Sequence, residues 1–267
     1  MSGNPSAWNP GSLDLEQARR FSSYLDAHDL RPVFLHAGYL INLSCRRGRS
    51  APIYAKSVRL LQASIDRAAD LTCEYVVVHM GSRMGTGEEE ALVALVEGLA
   101  RLKAGPADGG RRVTLLLENS AGAGDTAGAR FEELQRVLEA AAAASLRLPL
   151  GVCLDTAHMW GAGYDLSSGP RVRAVFDDFE RLVGLERLSL IHLNDAAAEL
   201  GSRKDRHEHI GCGLMPPAGL RAVAREPRLR AVPMIMETPG KSRPTDGQRM
   251  EDLWRLAGVR PVSRTCP

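Results

Sequence analysis

Residues 188–213, LSLIHLNDAAAELGSRKDRHEHIGCG, hold the pattern from which the fold can be read. The stretch opens with an apolar run, Leu188 to Leu193, that carries His192 near its end. A short run that is apolar on both faces belongs in a sheet covered on both sides. A polar loop then leads to the triplet Asp205-Arg206-His207. Imidazole and carboxylate together are the donor set of zinc or manganese. Taken alone, any one of these residues is better read as a surface loop histidine or a salt-bridged aspartate, but the rest of the chain repeats the arrangement.

Working outward, apolar strand candidates occur at Pro32–His36, Glu74–His79, Val113–Glu118, Leu150–Asp155 and Val232–Glu237. Stretches with apolar residues at helical spacing alternate with them: Leu13–His28, Tyr54–Leu71, Glu88–Leu102, Arg130–Leu146, Pro170–Leu182, Pro217–Arg225 and Asp246–Leu256. The acidic run Glu88-Glu89-Glu90 suits a helix N-terminus, where the helix dipole is positive. Strands alternating with helices imply an α/β fold with a parallel sheet under helices. Six such strands with their helices, as one domain over residues 1–267, are of a kind and size common for β/α barrels. Residues 1–12 are expected to be irregular loop and residues 258–267 a C-terminal tail.

Composition narrows the function classes. A chain of 267 residues, 44% hydrophobic, can bury a sizeable core. The net charge of +2 permits a nucleic-acid partner without requiring one. Five cysteines (Cys45, Cys73, Cys153, Cys212 and Cys266) form no CxxC pair, which predicts a reduced protein without a disulfide frame. The N-terminus, MSGNPSAWNPGS, lacks the basic and apolar regions of a signal peptide, and no apolar run approaches the roughly 18 residues of a membrane span. The expectation is a cytoplasmic protein with no membrane partner.

All six strand candidates end in, or run into, a metal-ligand type: His36, His79, Glu118, Asp155, His192 and Glu237. In a β/α barrel the C-terminal strand ends converge on one mouth, where active sites sit. Three more candidates, His158, Asp205 and His207, fall in what read as loops after the strands. Five of the seven histidines therefore belong to the set, leaving His28 and His209 outside it. One zinc takes three or four protein ligands, so nine donors imply two or three ions. Clustered divalent ions suit phosphodiester cleavage, because they generate hydroxide at neutral pH and neutralise the leaving alkoxide.

The successive stretches HAGYLINLS, VVHMGSRMG, LLLENSAGAG, GVCLDTAHMWGAGYDL, HLNDAAAELGSRKDRHEHIG and METP resemble the motifs of the endonuclease IV family. Those enzymes are zinc-dependent and cut duplex DNA on the 5′ side of abasic sites. The resemblance covers about Asn4 to Glu237 and implies a TIM barrel with about three zinc ions, manganese being a substitute. It assigns His36, His79 and a bridging Glu118 to one zinc. It assigns Glu118, Asp155, His192 and Glu237 to a second, and His158, Asp205 and His207 to the third. Attack on phosphorus by a metal-bound hydroxide would then leave a 3′-hydroxyl and a 5′-deoxyribose phosphate, with Glu118 central to catalysis. The family flips the abasic nucleotide out of the duplex, which costs little because such a site has little stacking to lose. Tyr39 and Trp8 match aromatic residues of the family's DNA-binding loops, and Arg203, Lys204 and Arg206 are expected to contact phosphates.

The resemblance also has gaps. It begins at the family's DNA-binding loop, after two further strands, so six strands are counted and the barrel is expected to be open. Open edges expose unpaired backbone. A coding start placed downstream of the natural one is the favoured explanation, against closure by a partner or a degenerate relative; a monomer is expected unless a partner closes the edge. Ser6 stands where the family inserts an arginine into the base stack, Met80 replaces the proline of HPG, and Cys212 replaces a glutamate. Two alternative readings are a divalent-metal sugar isomerase or epimerase on the same barrel, and a truncated lesion-binding protein with little turnover. The isomerase would need Glu, Asp, His and Glu around one or two metals, and leaves His36, His79, His158, Asp205 and His207 unexplained.

Overall fold

The computed structural model describes residues 6–9, 11–104 and 112–237. The chain divides into two compact units, one formed by Met1–Asn119 with Gly124–Cys153 and the other by Ser120–Ala123 with Leu154–Pro267.

The first unit is a run of β/α repeats. It contains helix α1 (Leu15–Ala27), strand β1 (Phe34–His36), α2 (Ala51–Asp70), β2 (Tyr75–His79), α3 (Glu88–Ala100), β3 (Thr114–Glu118), α4 (Phe131–Ala143) and most of β4 (Leu150–Asp155). Asp14 starts α1: its carboxylate accepts from the backbone N–H groups of Glu16 and Gln17, which otherwise lack partners in a first turn. Helix α2 begins three residues earlier than its apolar spacing predicts, because Pro52 is tolerated in a first turn, where no intrahelical N–H is needed. Neighbouring strands are parallel, in the order β1-β2-β3-β4. Val76, Val77 and Val78 of β2 and Leu115, Leu116 and Leu117 of β3 are buried, as both-face coverage demands. Truncating a leucine such as Leu116 would remove about 2–5 kcal/mol of packing. The register sets His79 directly beside Glu118, about one strand spacing of 4.8 Å away in the ladder direction. The turn after His79 requires glycine: Gly81 has φ +95°, and a Cβ there would lie 2.7 Å from the Asn42 Cα.

The second unit contains α5 (Thr156–Ala162), α6 (Gly169–Leu182), β5 (Leu188–His192), β6 (Asp195–Ala196), β7 (His207–Glu208), α7 (Pro217–Ala224) and β8 (Met234–Ile235). Strand β5 pairs in parallel with β8, through Ile191 with Met234 and His192 with Ile235. Strand β8 is shorter than the apolar run Val232–Glu237 predicts. Pro233 has no N–H to give to a ladder, so pairing starts at Met234. Two further expectations are corrected. His158 lies on helix α5, not in a loop, because the Asp155 carboxylate caps that helix by accepting the His158 N–H. His207 lies on β7, which pairs antiparallel with β6 inside the expected loop.

Each of the six predicted strands is present, and six parallel strands rather than eight are found among the described residues. The helix expected at Asp246–Leu256 and the tail at 258–267 lie outside the described residues. No helix among the described residues is long and apolar enough to cross a membrane.

Candidate metal centre

The first unit brings three of the expected ligands together. His36, His79 and Glu118, at the ends of β1, β2 and β3, offer ligand atoms within 4.8 Å of one another. Glu118 is fully buried; its Oε2 lies 3.0 Å from His36 Nε2 and 3.5 Å from His79 Nε2. The His36 Nδ1 lies 2.7 Å from the carbonyl oxygen of Ala37, which can only accept. Nδ1 therefore carries the proton, and in the neutral ring the lone pair sits on Nε2, facing a carboxylate oxygen. Two acceptors at that separation require a proton or a cation between them. Ligands about 2.0–2.2 Å from a tetrahedral zinc stand about 3.3–3.6 Å apart, close to the 3.0 and 3.5 Å that separate Glu118 Oε2 from the two imidazoles.

The second unit gathers the other six. Asp155, His158 and His207 form one group within 4.8 Å, and Asp155, His192 and Glu237 meet the same criterion. Asp205 faces two of the histidines, with Oδ2 3.3 Å from His158 Nε2 and Oδ1 3.4 Å from His207 Nε2. Glu237 Oε2 lies 3.0 Å from His192 Nδ1. His207 repeats the logic of His36. Its Nδ1 lies 3.2 Å from the carbonyl oxygen of Glu237, which puts the proton there. Its Nε2 is buried without a hydrogen-bond partner, although Asp155 Oδ2 is 3.6 Å away. A buried, orphaned nitrogen ringed by carboxylate oxygens at ligand spacing fits a divalent cation. Both donor sets, imidazole nitrogen with carboxylate oxygen, suit zinc or manganese.

Comparison with known proteins agrees with this geometry. The family model for xylose isomerase-like TIM barrels matches residues 2–256. A probable endonuclease 4 from Natronomonas pharaonis is 38% identical over 95% of this chain and 88% of its own length. The crystal structure of endonuclease IV from Thermus thermophilus superposes with a TM-score of 0.78 at 35% identity, over 97% of this chain and 86% of that one. The chain belongs to the endonuclease IV family. Its fold is a TIM barrel with six parallel strands among the described residues. A D-tagatose 3-epimerase-like protein also superposes (TM-score 0.63, 18% identity, 90% of this chain and 82% of that one), which shows a shared fold alone.

The residues expected to meet DNA in this endonuclease IV relative sit as follows. Tyr39 is 63% exposed, with its ring centroid 5.6 Å from that of His36 and 5.8 Å from that of His79. Trp8 lies under the Lys56 ammonium, 5.7 Å from its ring. Arg203 and Arg206 are exposed on the segment that carries Asp205. Arg203 holds a left-handed backbone, φ 54°, with its N–H donated to the Gly161 carbonyl. Sequence reasoning missed Asn194 and Asp195, which lie two and three residues beyond the β5 ligand His192 at the start of what read as a polar loop. Asp195 is fully buried, and its carboxylate accepts from the N–H groups of Ala196, Gly211, Gly213 and Met215, at 2.8 to 3.2 Å. Burial pushes its carboxyl above the ordinary carboxylate range, while those four donors pull the other way. The contacts pin the turn after β7, and so the strand that carries His207. Gly213 is needed for this closure, since a Cβ there would lie 2.6 Å from the Ala196 carbonyl oxygen.

Proposed function

We propose that the protein is a zinc-dependent DNA-repair endonuclease that cuts duplex DNA on the 5′ side of abasic sites and leaves a 3′-hydroxyl and a 5′-deoxyribose phosphate. Family membership supports nuclease activity, and the carrying observation is that eight of the nine expected donors sit in buried or half-buried groups at ligand spacing, with the exposed Asp205 3.3 and 3.4 Å from two of the histidines. With three donors in one unit and six in the other, and three or four ligands per zinc, the chain would hold about three ions. Bound there, such ions acidify water and neutralise charge on a phosphodiester. The chain's own residues do the rest. His36 and His207 are held by backbone carbonyls in the tautomer that turns Nε2 inward. Tyr39 offers an exposed ring beside one cluster, and Arg203, Lys204 and Arg206 offer charge to phosphates beside the other.

The sugar isomerase reading leaves His36, His79, His158, Asp205 and His207 surplus, so it is not preferred. The test is a duplex with a single abasic analogue, incubated with the protein and zinc, with the end groups of the products mapped. Incision 5′ to the lesion with a 3′-hydroxyl is expected, with an unmodified duplex cut at least about 100-fold more slowly, or about 2.7 kcal/mol of discrimination. Equal cutting of both duplexes, or a 3′-phosphate product, would sink the abasic assignment.

A further inference from the structure

Asn194 stands among three of the candidate ligands and reaches two of them with one side chain. It lies two residues beyond His192 and is fully buried. Its Nδ2 donates to Asp155 Oδ2 at 2.5 Å, and its Oδ1 accepts from the Glu237 backbone N–H at 2.7 Å. The second contact fixes the amide orientation, because an N–H can only donate. The other oxygen of Asp155 accepts from the His158 N–H at 2.8 Å, so both oxygens of that carboxylate are held. Asn194 is itself anchored: its N–H donates to Thr156 Oγ1 at 2.8 Å. That hydroxyl faces the Asn194 carbonyl at 2.6 Å and the His192 carbonyl at 3.3 Å.

We infer that Asn194 is a positioning residue for the metal ligands: it ties Asp155, His192 and Glu237 into one preset arrangement before an ion enters. The inference rests on the metal reading given above and adds a residue to it. The donor matters chemically. A carboxylate that already receives two N–H bonds is fixed in orientation, and an ion that meets it has little ordering left to impose. Aspartate at 194 would keep the acceptor for the Glu237 N–H but set a second carboxylate against Asp155.

The test is zinc affinity, read by competition with a chromophoric chelator on the full chain, for the wild type and for Asn194→Asp and Asn194→Ala. Losing such a partner typically weakens metal binding about 10–100-fold. That loss is expected for both variants, with fewer zinc ions retained per chain. Asn194→Asp is closest in shape but sets two buried carboxylates together, so a lower metal-free melting temperature is expected for it, and affinities are compared only for variants that circular dichroism shows folded. Should Asn194→Asp fail to fold, Asn194→Ala removes the same donor without adding a charge and carries the comparison. Unchanged zinc affinity in a folded variant, with only a lower metal-free melting temperature, would mean a purely structural asparagine and would overturn the inference. Wild-type protein that takes up no zinc at all would overturn the metal reading, and this inference with it.

Discussion

Replacing Glu118 by Gln is expected to lower abasic-site incision by about 10³-fold or more, equivalent to about 4 kcal/mol of barrier, while the chain still folds. Glutamine keeps the shape of a side chain that is fully buried. It removes the charge that faces His36 Nε2 and His79 Nε2 at 3.0 and 3.5 Å. A neutral amide is a poor ligand for zinc, and its NH₂ end would be set against an imidazole lone pair. The loss should appear in kcat, because Glu118 lies too deep to contribute to grip on the duplex backbone. Circular dichroism and a melting curve close to wild type would show that the loss is chemical. An incision rate within about threefold of wild type would remove Glu118 from the catalytic centre.

Stripping the protein with a strong chelator should abolish incision, and added zinc should restore it. The effect extends to stability. A ligand bound only by the folded state at about 100 times its dissociation constant contributes about 2.7 kcal/mol. For a chain of this size the loss of one such site lowers the melting temperature by about 5 °C or more. The stripped protein should therefore melt lower as well as fail to cut. Magnesium should restore little, since it needs octahedral oxygen ligands and these clusters are rich in imidazole. A chelated protein that still incises at its full rate would contradict any metal-based mechanism here.

The strands were legible because a parallel strand covered on both faces has no polar positions to hide: YVVVH and TLLLE could hardly be anything else. The same feature exposed the ligands, since the first polar residue after each apolar run is where the chain leaves the sheet. What escaped the sequence is short or depends on backbone placement. Helix α5 has seven residues, too few to show a helical period, and starts because Asp155 caps it. The β6–β7 pair has two residues per strand and no alternation to detect. The binding of four amides by Asp195 requires the turn of residues 211–215, whose path no side-chain pattern announces. Asn194 read as part of a polar loop for the same reason: its two partners are separated from it by 39 and 43 positions in the chain.

Metal content bears most directly on the central claim. Native mass spectrometry and elemental analysis of the protein, loaded with zinc and freed of excess, should find about three zinc ions per chain, the upper end of what nine donors at three or four per ion allow. A single divalent ion per chain, with sugar epimerisation in place of DNA incision, would contradict the account.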